Sequence, residues 1–447
     1  MSRLRTPLLW DATESRGAIH LFPPGIMLKV ARIALLTLLL APASVTAQDP
    51  GPDGRIPQPV IALTNASIVD VATGEVSRGV TVVLAGGMIE SIGPDSPPSG
   101  ALVRDLSGKF IVPGLIDAHT HLASLAAAER ALHTGVTTVR TASVGSFRDV
   151  ALREMAKDGY IAGPDVLAAG IFVTPQIGDA VLADPELRSL IRGVDTIERL
   201  RLLTRANVEH GVDFIKTRGT ERAGLADTDP RQQVYTQEEL AAVVDEAAKG
   251  GVPVMAHAHG DEGGRAAVLA GVKSIEHGTY LSDETLRLMT EQGTFLVPTY
   301  STIIDLVEAG GDYDDPVTRV RGMHMLPRME RTFKRAHELG VKIVTGADVS
   351  STPQSMTRVS HEVFNFVELG MTPLEAIQTA TTNAADLLGL ADRTGRIEVG
   401  YEADVIVVEE NPLENIRTLQ DPLIVISNGR LGVDRIEFAR AGRRPIP

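Results

Sequence analysis

Between Leu115 and Asp348 the chain alternates short apolar runs with Ala-rich helical stretches, and this alternation restricts the fold more than any other feature. Eight runs read as strands: "LIDAH", "VTTVRTA", "VLAAGIF", "DFIKTR", "VPVMAHAH", "SIEHG", "TFLVPT" and "KIVTGAD". Stretches such as "TQEELAAVVDEAAKGG" and "TRVSHEVFNFVELG" read as the helices that accompany them. Strands separated by helices pair in parallel, because a helical crossover returns the chain to the same end of the sheet. Eight such units are the count of a closed (β/α)8 barrel, whose site lies at the C-terminal ends of its strands. The fold class expected is therefore α/β, with residues 113–392 forming the barrel.

The flanks have a different texture. Residues 60–112 carry short runs such as "VIALTNASIVD", "VTVVLAGGMIESIG" and "KFIVPG", broken by Gly and Pro, which read as strands joined by tight turns. After the helical stretch "TPLEAIQTATTNAADLLGL", strand texture returns in "GRIEVGYEADVIVVEE" and "PLIVISNGRLG". Residues 60–112 and 393–447 are thus expected to build one small composite β-sandwich from both ends of the chain.

Residues 1–47 read as a leader. Lys29 and Arg32 precede an apolar run, Ile33 to Leu40, and the small-residue triplet Val45-Thr46-Ala47 follows, which is a secretory signal pattern. The run is too short to span a bilayer comfortably. Translation from Met27, cleavage after Ala47 and a secreted or periplasmic protein free of the membrane are the expectations. Without cysteine the chain has neither disulfides nor thiolate chemistry. A formal charge of -14 and no concentrated basic face argue against nucleic acid as a partner.

The polar residues that end the candidate strands carry the chemistry. His119 and His121, two apart in "PGLIDAHTHL", share one face of a strand. Lys216 ends "DFIK", His257 and His259 stand in "HAHG", His277 in "IEHG" and Asp348 in "TGADVS". A lone strand histidine is usually a hydrogen-bonded core residue, and a lone Asp after a strand is often a helix cap. Five strand ends of one barrel rim carrying such groups is a different matter, because neutral imidazoles converging on one point suit zinc or a similar ion. The remaining histidines, His20, His133, His210, His324, His337 and His361, fall in the leader, helices or loops. Lys216 is the odd member: a buried ammonium is costly unless paired with a carboxylate, and its neutral amine is able to take up CO2 as a carbamate.

The motifs "PGLIDAHTHL", "DFIKTRG", "HAHG", "IEHG", "TGADVS" and "GRIEVGYEADVIVV" span nearly the whole mature chain and resemble the amidohydrolase superfamily. The pairing of "HAHG" and "IEHG" with a strand-four lysine is similar to the binuclear group of Xaa-Pro dipeptidases, related carboxypeptidases and ochratoxin-hydrolysing amidases. The resemblance implies two divalent metals, zinc by preference. It implies that His119, His121 and Asp348 hold one metal and that His257 and His277 hold the other, with N6-carboxylated Lys216 bridging and His259 behind them. It also implies a homo-oligomer. After the lysine, "TRGT" departs from the usual small Ser/Gly run. In this scheme Lys216 and Asp348 are the catalytic residues: a bridging hydroxide attacks the carbonyl, and Asp348 takes its proton and passes it to the leaving amine.

The substrate expected is a small molecule or short peptide with a free carboxylate, cleaved at the amide next to a C-terminal amino acid, ochratoxin-type aryl amides included. Arg140, Arg218 and Tyr235 are the candidate substrate contacts, each with a bland alternative as an ion pair or packing residue. Two other readings stand beside this one. The same metals could open cyclic amides, imides, lactones or phosphotriesters, and a metal-binding protein without catalysis would need the same ligands. Dependence of turnover on a free carboxylate separates the first two, and turnover itself separates the third.

Overall fold

The computed structural model describes residues 51, 53–308, 315–355 and 357–436. The expected leader, residues 1–47, lies outside the described residues. Among those described, no helix is long and apolar enough to cross a membrane.

Five strands come first: β1 (Ile61–Val69), β2 (Val76–Ala85), β3 (Met88–Gly93), β4 (Leu102–Asp105) and β5 (Phe110–Pro113). Strand and helix then alternate through β6 (Leu115–Thr120), α1 (Leu125–His133), β7 (Val136–Thr141), α2 (Arg148–Lys157), β8 (Asp165–Leu167), α3 (Ile197–Glu209) and β9 (Ile215–Arg218). The pattern continues through α4 (Gln237–Ala248), β10 (Val254–Ala258), α5 (Asp261–Leu269), β11 (Ser274–His277), α6 (Asp283–Gln292) and β12 (Phe295–Val297). Helices α7 (Tyr300–Asp305), α8 (Pro316–Glu338), α9 (Val359–Glu368), α10 (Pro373–Thr379) and α11 (Thr382–Leu388) precede β13 (Val405–Val408), β14 (Ile424–Ser427) and β15 (Arg430–Asp434).

Strands from both ends of the chain share one eight-stranded sheet in the order β15-β14-β13-β5-β1-β2-β3, with β4 paired to β1. Gly86 and Gly87, both at positive φ, make the two-residue turn between β2 and β3, the geometry that matches the twist of a hairpin. Ile61, Leu63, Val82 and Leu84 from one limb and Val405, Val407, Ile424 and Ile426 from the other meet in a single apolar cluster. The two layers expected from the sequence are therefore limbs of one continuous sheet that share a core.

The middle of the chain holds two parallel sheets, β6-β7-β8 and β12-β11-β10-β9. Isolated parallel bridges connect them. Val173, just beyond β8, pairs with Thr217 of β9; Leu296 of β12 pairs with Ile343; and Val349 pairs with Thr120 of β6, so the run of pairings returns to its first strand. Backbone bonds from Ala118 N to Thr345 O and from Asp348 N to His119 O reinforce the last join. Inside it, Ile116, Ala118, Phe214, Met255, Phe295, Val297 and Val344 form an apolar plug beneath the site.

Two expectations need correction, and a third is refined. "KIVTGAD" makes only single bridges, because Gly346 lies against His119 and Asp348 adopts φ 48°, outside strand geometry. "VLAAGIF" ends as a strand at Leu167, before Gly170 turns the chain at φ 62°. "TPLEAIQTATTNAADLLGL" is two helices: the first starts with a Thr372/Glu375 capping box, and Thr381, at φ -134° and ψ -95°, separates them. Gly346 is the glycine that positions the site. A Cβ there would lie 2.7 Å from His119 Cβ and 2.6 Å from Val297 Cγ1, so any other residue would push the Asp348 segment away from β6.

Candidate metal centre

Every polar residue singled out at a strand end sits at the C-terminal rim of the two parallel sheets. His119 belongs to β6 and His121 follows it; Lys216 lies in β9, His257 in β10 with His259 just after, His277 ends β11, and Asp348 follows the Ile343 bridge. His119, His121, Lys216, His257, His259, His277 and Asp348 all line one cavity of about 360 Å³. Donor atoms of His257, His259 and His277 lie within 4.8 Å of one another, and so do those of His119, His277 and Asp348. His277 is common to both groups and stands between them. His121 Nε2 is 3.1 Å from Asp348 Oδ1, and Lys216 Nζ is 3.5 Å from His119 Nε2.

Hydrogen bonds on the far side of each ring decide which nitrogen faces the cavity. His119 Nδ1 lies 2.6 Å from Glu276 Oε2, His121 Nδ1 2.9 Å from the Ser143 carbonyl, and His257 Nε2 3.0 Å from the Glu221 carbonyl. A carboxylate and two carbonyls only accept, so these nitrogens carry the proton; for His119 and His257 that leaves Nε2 and Nδ1 as lone pairs, whereas His121 Nε2 itself faces the Asp348 carboxylate at 3.1 Å. The Thr279 and Thr299 hydroxyls, which both donate and accept, stand behind His259 and His277 at 2.9 and 2.7 Å from their Nδ1 atoms. Five imidazoles thus converge on one cavity. This donor set repels itself unless a cation sits among it, and it is the set that a divalent metal with outer-shell support requires.

Electrostatics agree. Burial holds His119 down to about 4 and His259 to about 3, and puts His257 and His277 well below the usual imidazole range. Asp348 stays ionised: the imidazoles of His119 and His121 and the Lys216 amine outweigh its own desolvation and lower it. Burial pushes Lys216 down to about 8 against the opposing pull of the Glu276 and Asp348 carboxylates, neither of which makes a close ion pair with it among the described residues. Its amine therefore has an accessible neutral form at ordinary pH.

These shifts set an acid limit. The folded chain refuses protons at His119 down to about 4, whereas an ordinary imidazole accepts them near 6.5. Between those values the unfolded chain binds more protons, so stability rises with pH and falls on acidification. Urea unfolding of the metal-free protein at a series of pH values is expected to show stability declining from pH 6.5 towards 4. A flat profile there would contradict the buried neutral imidazoles.

Three sequence expectations for substrate contacts fare differently. Arg140 is wholly buried behind the site, its guanidinium spent on Ala118 O, Ser274 Oγ and Glu276 Oε1, so it orients Glu276 rather than reaching substrate. Tyr235 is buried away from the cavity and donates its hydroxyl to Val194 O, which removes it as a contact too. Arg218 lines a second cavity of about 440 Å³, where Nη1 donates to Glu221 Oε2 and the buried Nε has no partner among the described residues. The two cavities share Ser143, Phe172, Arg222 and Leu225. His259, expected behind the ligands, has a donor atom within 4.8 Å of those of His257 and His277.

Sequence reasoning passed over several residues. Glu276 is a charged residue in the apolar run "SIEHG" and Asp117 another in "LIDAH", and that misfit was the available signal. Glu276 joins His119 to Arg140 and is held down to about 2, chiefly by Arg140 and His119 against the cost of its burial. Asp117 accepts from His119 N and Ala347 N and so ties β6 to the Asp348 segment. Arg222, exposed and on the cavity wall, carried no signal, since its place depends on loop conformation.

Comparison with known proteins agrees with this geometry. The model of a family described as the amidohydrolase family matches residues 110–432. Ochratoxinase from Aspergillus niger is 29% identical over 408 residues, covering 82% of this chain and 84% of its own. Among solved structures, a Xaa-Pro dipeptidase with methionine bound in its active site superposes with a TM-score of 0.75 at 29% identity, covering 83% of this chain and 99% of that one. A prolidase complexed with N-methylphosphonate-L-proline gives 0.73 at 27% identity, covering 83% and 99%.

Proposed function

Since the chain belongs to the amidohydrolase family, metal-dependent hydrolases of carbon–nitrogen bonds, we propose that it cleaves the amide joining an acyl or aminoacyl group to a C-terminal amino acid. The observation that carries the reading is the convergence of five imidazoles and an ionised Asp348 on one cavity whose wall also presents Arg222. The substrates would be dipeptides and N-acyl amino acids, aryl amides of the ochratoxin kind among them. The closed run of parallel pairings is read as a (β/α)8 barrel, with the mixed sheet as its β-sandwich companion.

His119, His121 and Asp348 would hold one divalent metal and His257 and His277 the other, zinc in both positions, with N6-carboxylated Lys216 between them. Bound there, the metals would supply a hydroxide near neutral pH and polarise the scissile carbonyl. The chain's own residues do the rest. Asp348 Oδ1, held ionised at the cavity wall, takes the proton of the attacking water and returns it to the leaving amine. Glu276 keeps His119 Nε2 directed at the cavity by holding its Nδ1 proton. Phe172, Ile303 and Leu306 form an apolar wall for the acyl group. Arg222 faces the substrate carboxylate, and Arg218 stands in the contiguous cavity behind it. The signal pattern before Gln48 supports export of the enzyme.

Removing a charge-assisted hydrogen bond costs about 1.5–3 kcal/mol, so Arg222→Met should raise KM for N-acyl amino acids about 10- to 100-fold and leave KM for the corresponding carboxamides nearly unchanged. Steady-state kinetics on matched acid and amide pairs read this. Equal losses on both members of each pair would remove Arg222 as the anchor.

A further inference from the structure

Among the rim residues that hold a left-handed backbone, one that side-chain-bearing residues rarely adopt, are His277 at φ 74°, Asp348 at φ 48° and Thr299 at φ 47°. The first two belong to the donor set. Thr299 does not face the cavity, and a β-branched residue in this conformation is the least expected of the three. Its hydroxyl lies 2.7 Å from His277 Nδ1. Such a conformation persists only where the surroundings over-determine it.

The surroundings trace to one buried carboxylate. Glu362 in α9 is fully buried and accepts three hydrogen bonds from the two residues that follow Thr299: Tyr300 N to Oε1 at 2.7 Å, Ser301 N to Oε2 at 2.7 Å and Ser301 Oγ to Oε2 at 2.6 Å. Asn365, three residues further along α9 on the same face, donates to Ser301 Oγ at 3.1 Å and fixes that hydroxyl's direction. The next residue, Thr302, donates to Ala347 O at 2.9 Å, beside Asp348. Thr302 and Ile303 then line the cavity itself. One carboxylate therefore pins the start of α7, and through it the hydroxyl behind one donor and the backbone next to another.

We propose that Glu362 is a positioning residue for the metal centre, acting through Thr299 on His277 and through Thr302 on the Asp348 segment. Glu362 touches neither substrate nor donor. Its part is to hold Thr299 in the left-handed conformation that presents Oγ1 to the His277 ring. The proposal rests on the metal reading above, and its test separates the two.

In Glu362→Gln one acceptor oxygen becomes an amide donor that faces a backbone N–H, so the clamp opens on one side while volume is kept. Release of metal to a chelator is expected to quicken about 10- to 100-fold, with kcat falling by a similar factor and KM little changed. Thr299→Val, which keeps the shape and loses the hydroxyl, should give the part of that loss that runs through His277; Thr299→Ser should retain most of the wild-type behaviour. The double variant Glu362→Gln/Thr299→Val should be no worse than the weaker single variant, because both break one chain of contacts. In metal-free protein labelled with 15N-histidine, the His277 Nδ1 resonance should differ between wild type and Thr299→Val, because the hydroxyl it contacts is gone. Variants that lower thermal stability while leaving metal release and kcat at wild-type values would overturn the proposal, as would fully additive losses. Should Glu362→Gln not fold, the Thr299→Val and Thr299→Ser pair decides alone. A wild-type protein that binds no metal would end the metal reading, and the His277 signal would then show separately whether the clamp orients the ring.

Discussion

Replacing Asp348 with asparagine is expected to lower kcat by roughly 10³-fold while KM moves little and the fold is kept, the pattern of a group that works only in the transition state. The side chain is nearly isosteric, and Asp348 N to His119 O, which holds the backbone in place, is untouched. What disappears is a carboxylate oxygen 3.1 Å from His121 Nε2 and 3.5 Å from His119 Nε2, kept ionised by those imidazoles and by Lys216. An amide neither accepts the proton of the attacking water nor returns it to the amine. A substrate whose leaving group needs no proton, such as an activated aryl ester, should suffer much less than an anilide. Equal losses on ester and anilide would leave Asp348 a ligand without a role in proton transfer.

The second large effect concerns Lys216. Its Nζ is buried, lies 3.5 Å from His119 Nε2 and 5.8 Å from the centre of the Phe172 ring, and has no described carboxylate partner. An ion-paired lysine would be replaceable by arginine with small loss. A lysine that carries CO2 as a carbamate is not, because the bridging anion is then the functional group. Lys216→Arg and Lys216→Ala are both expected to lose about 10²-fold or more in kcat/KM and to bind less metal, and acetate or propionate should restore part of the activity of Lys216→Ala by filling the vacated space. Full activity of Lys216→Arg would contradict the carbamate. Depleting CO2 during reconstitution of the wild type tests the same point without a mutation.

The donor set was legible in the chain because each member ends a short apolar strand, and strand ends are where a parallel sheet gathers its functional groups. Position at strand ends therefore picked out His119, His121, Lys216, His257, His259, His277 and Asp348 without tertiary information, and the family resemblance assigned their parts. The groups behind them were harder to read. Glu276 and Arg140 both sit on strands, and only their pairing in three dimensions reveals that Arg140 serves a ring-orienting carboxylate and not a substrate. Tyr235 and Arg222 show the same limit in loops: nothing in "TERAG" or "VYTQEEL" says which side chain turns inward. Helical and strand periodicity also overlooked local breaks, as at Gly170, Asp348 and Thr381, where backbone conformation follows from tertiary contacts.

The most direct test is the metal content of the purified protein by elemental analysis, paired with release of the amino acid from a set of N-acyl amino acids before and after chelation. Two divalent metals per chain, with hydrolysis abolished by the chelator and restored by adding the metal back, is the predicted result. A protein that binds no metal at its histidine cluster, or that cleaves these amides equally well after complete removal of metal, would contradict the account.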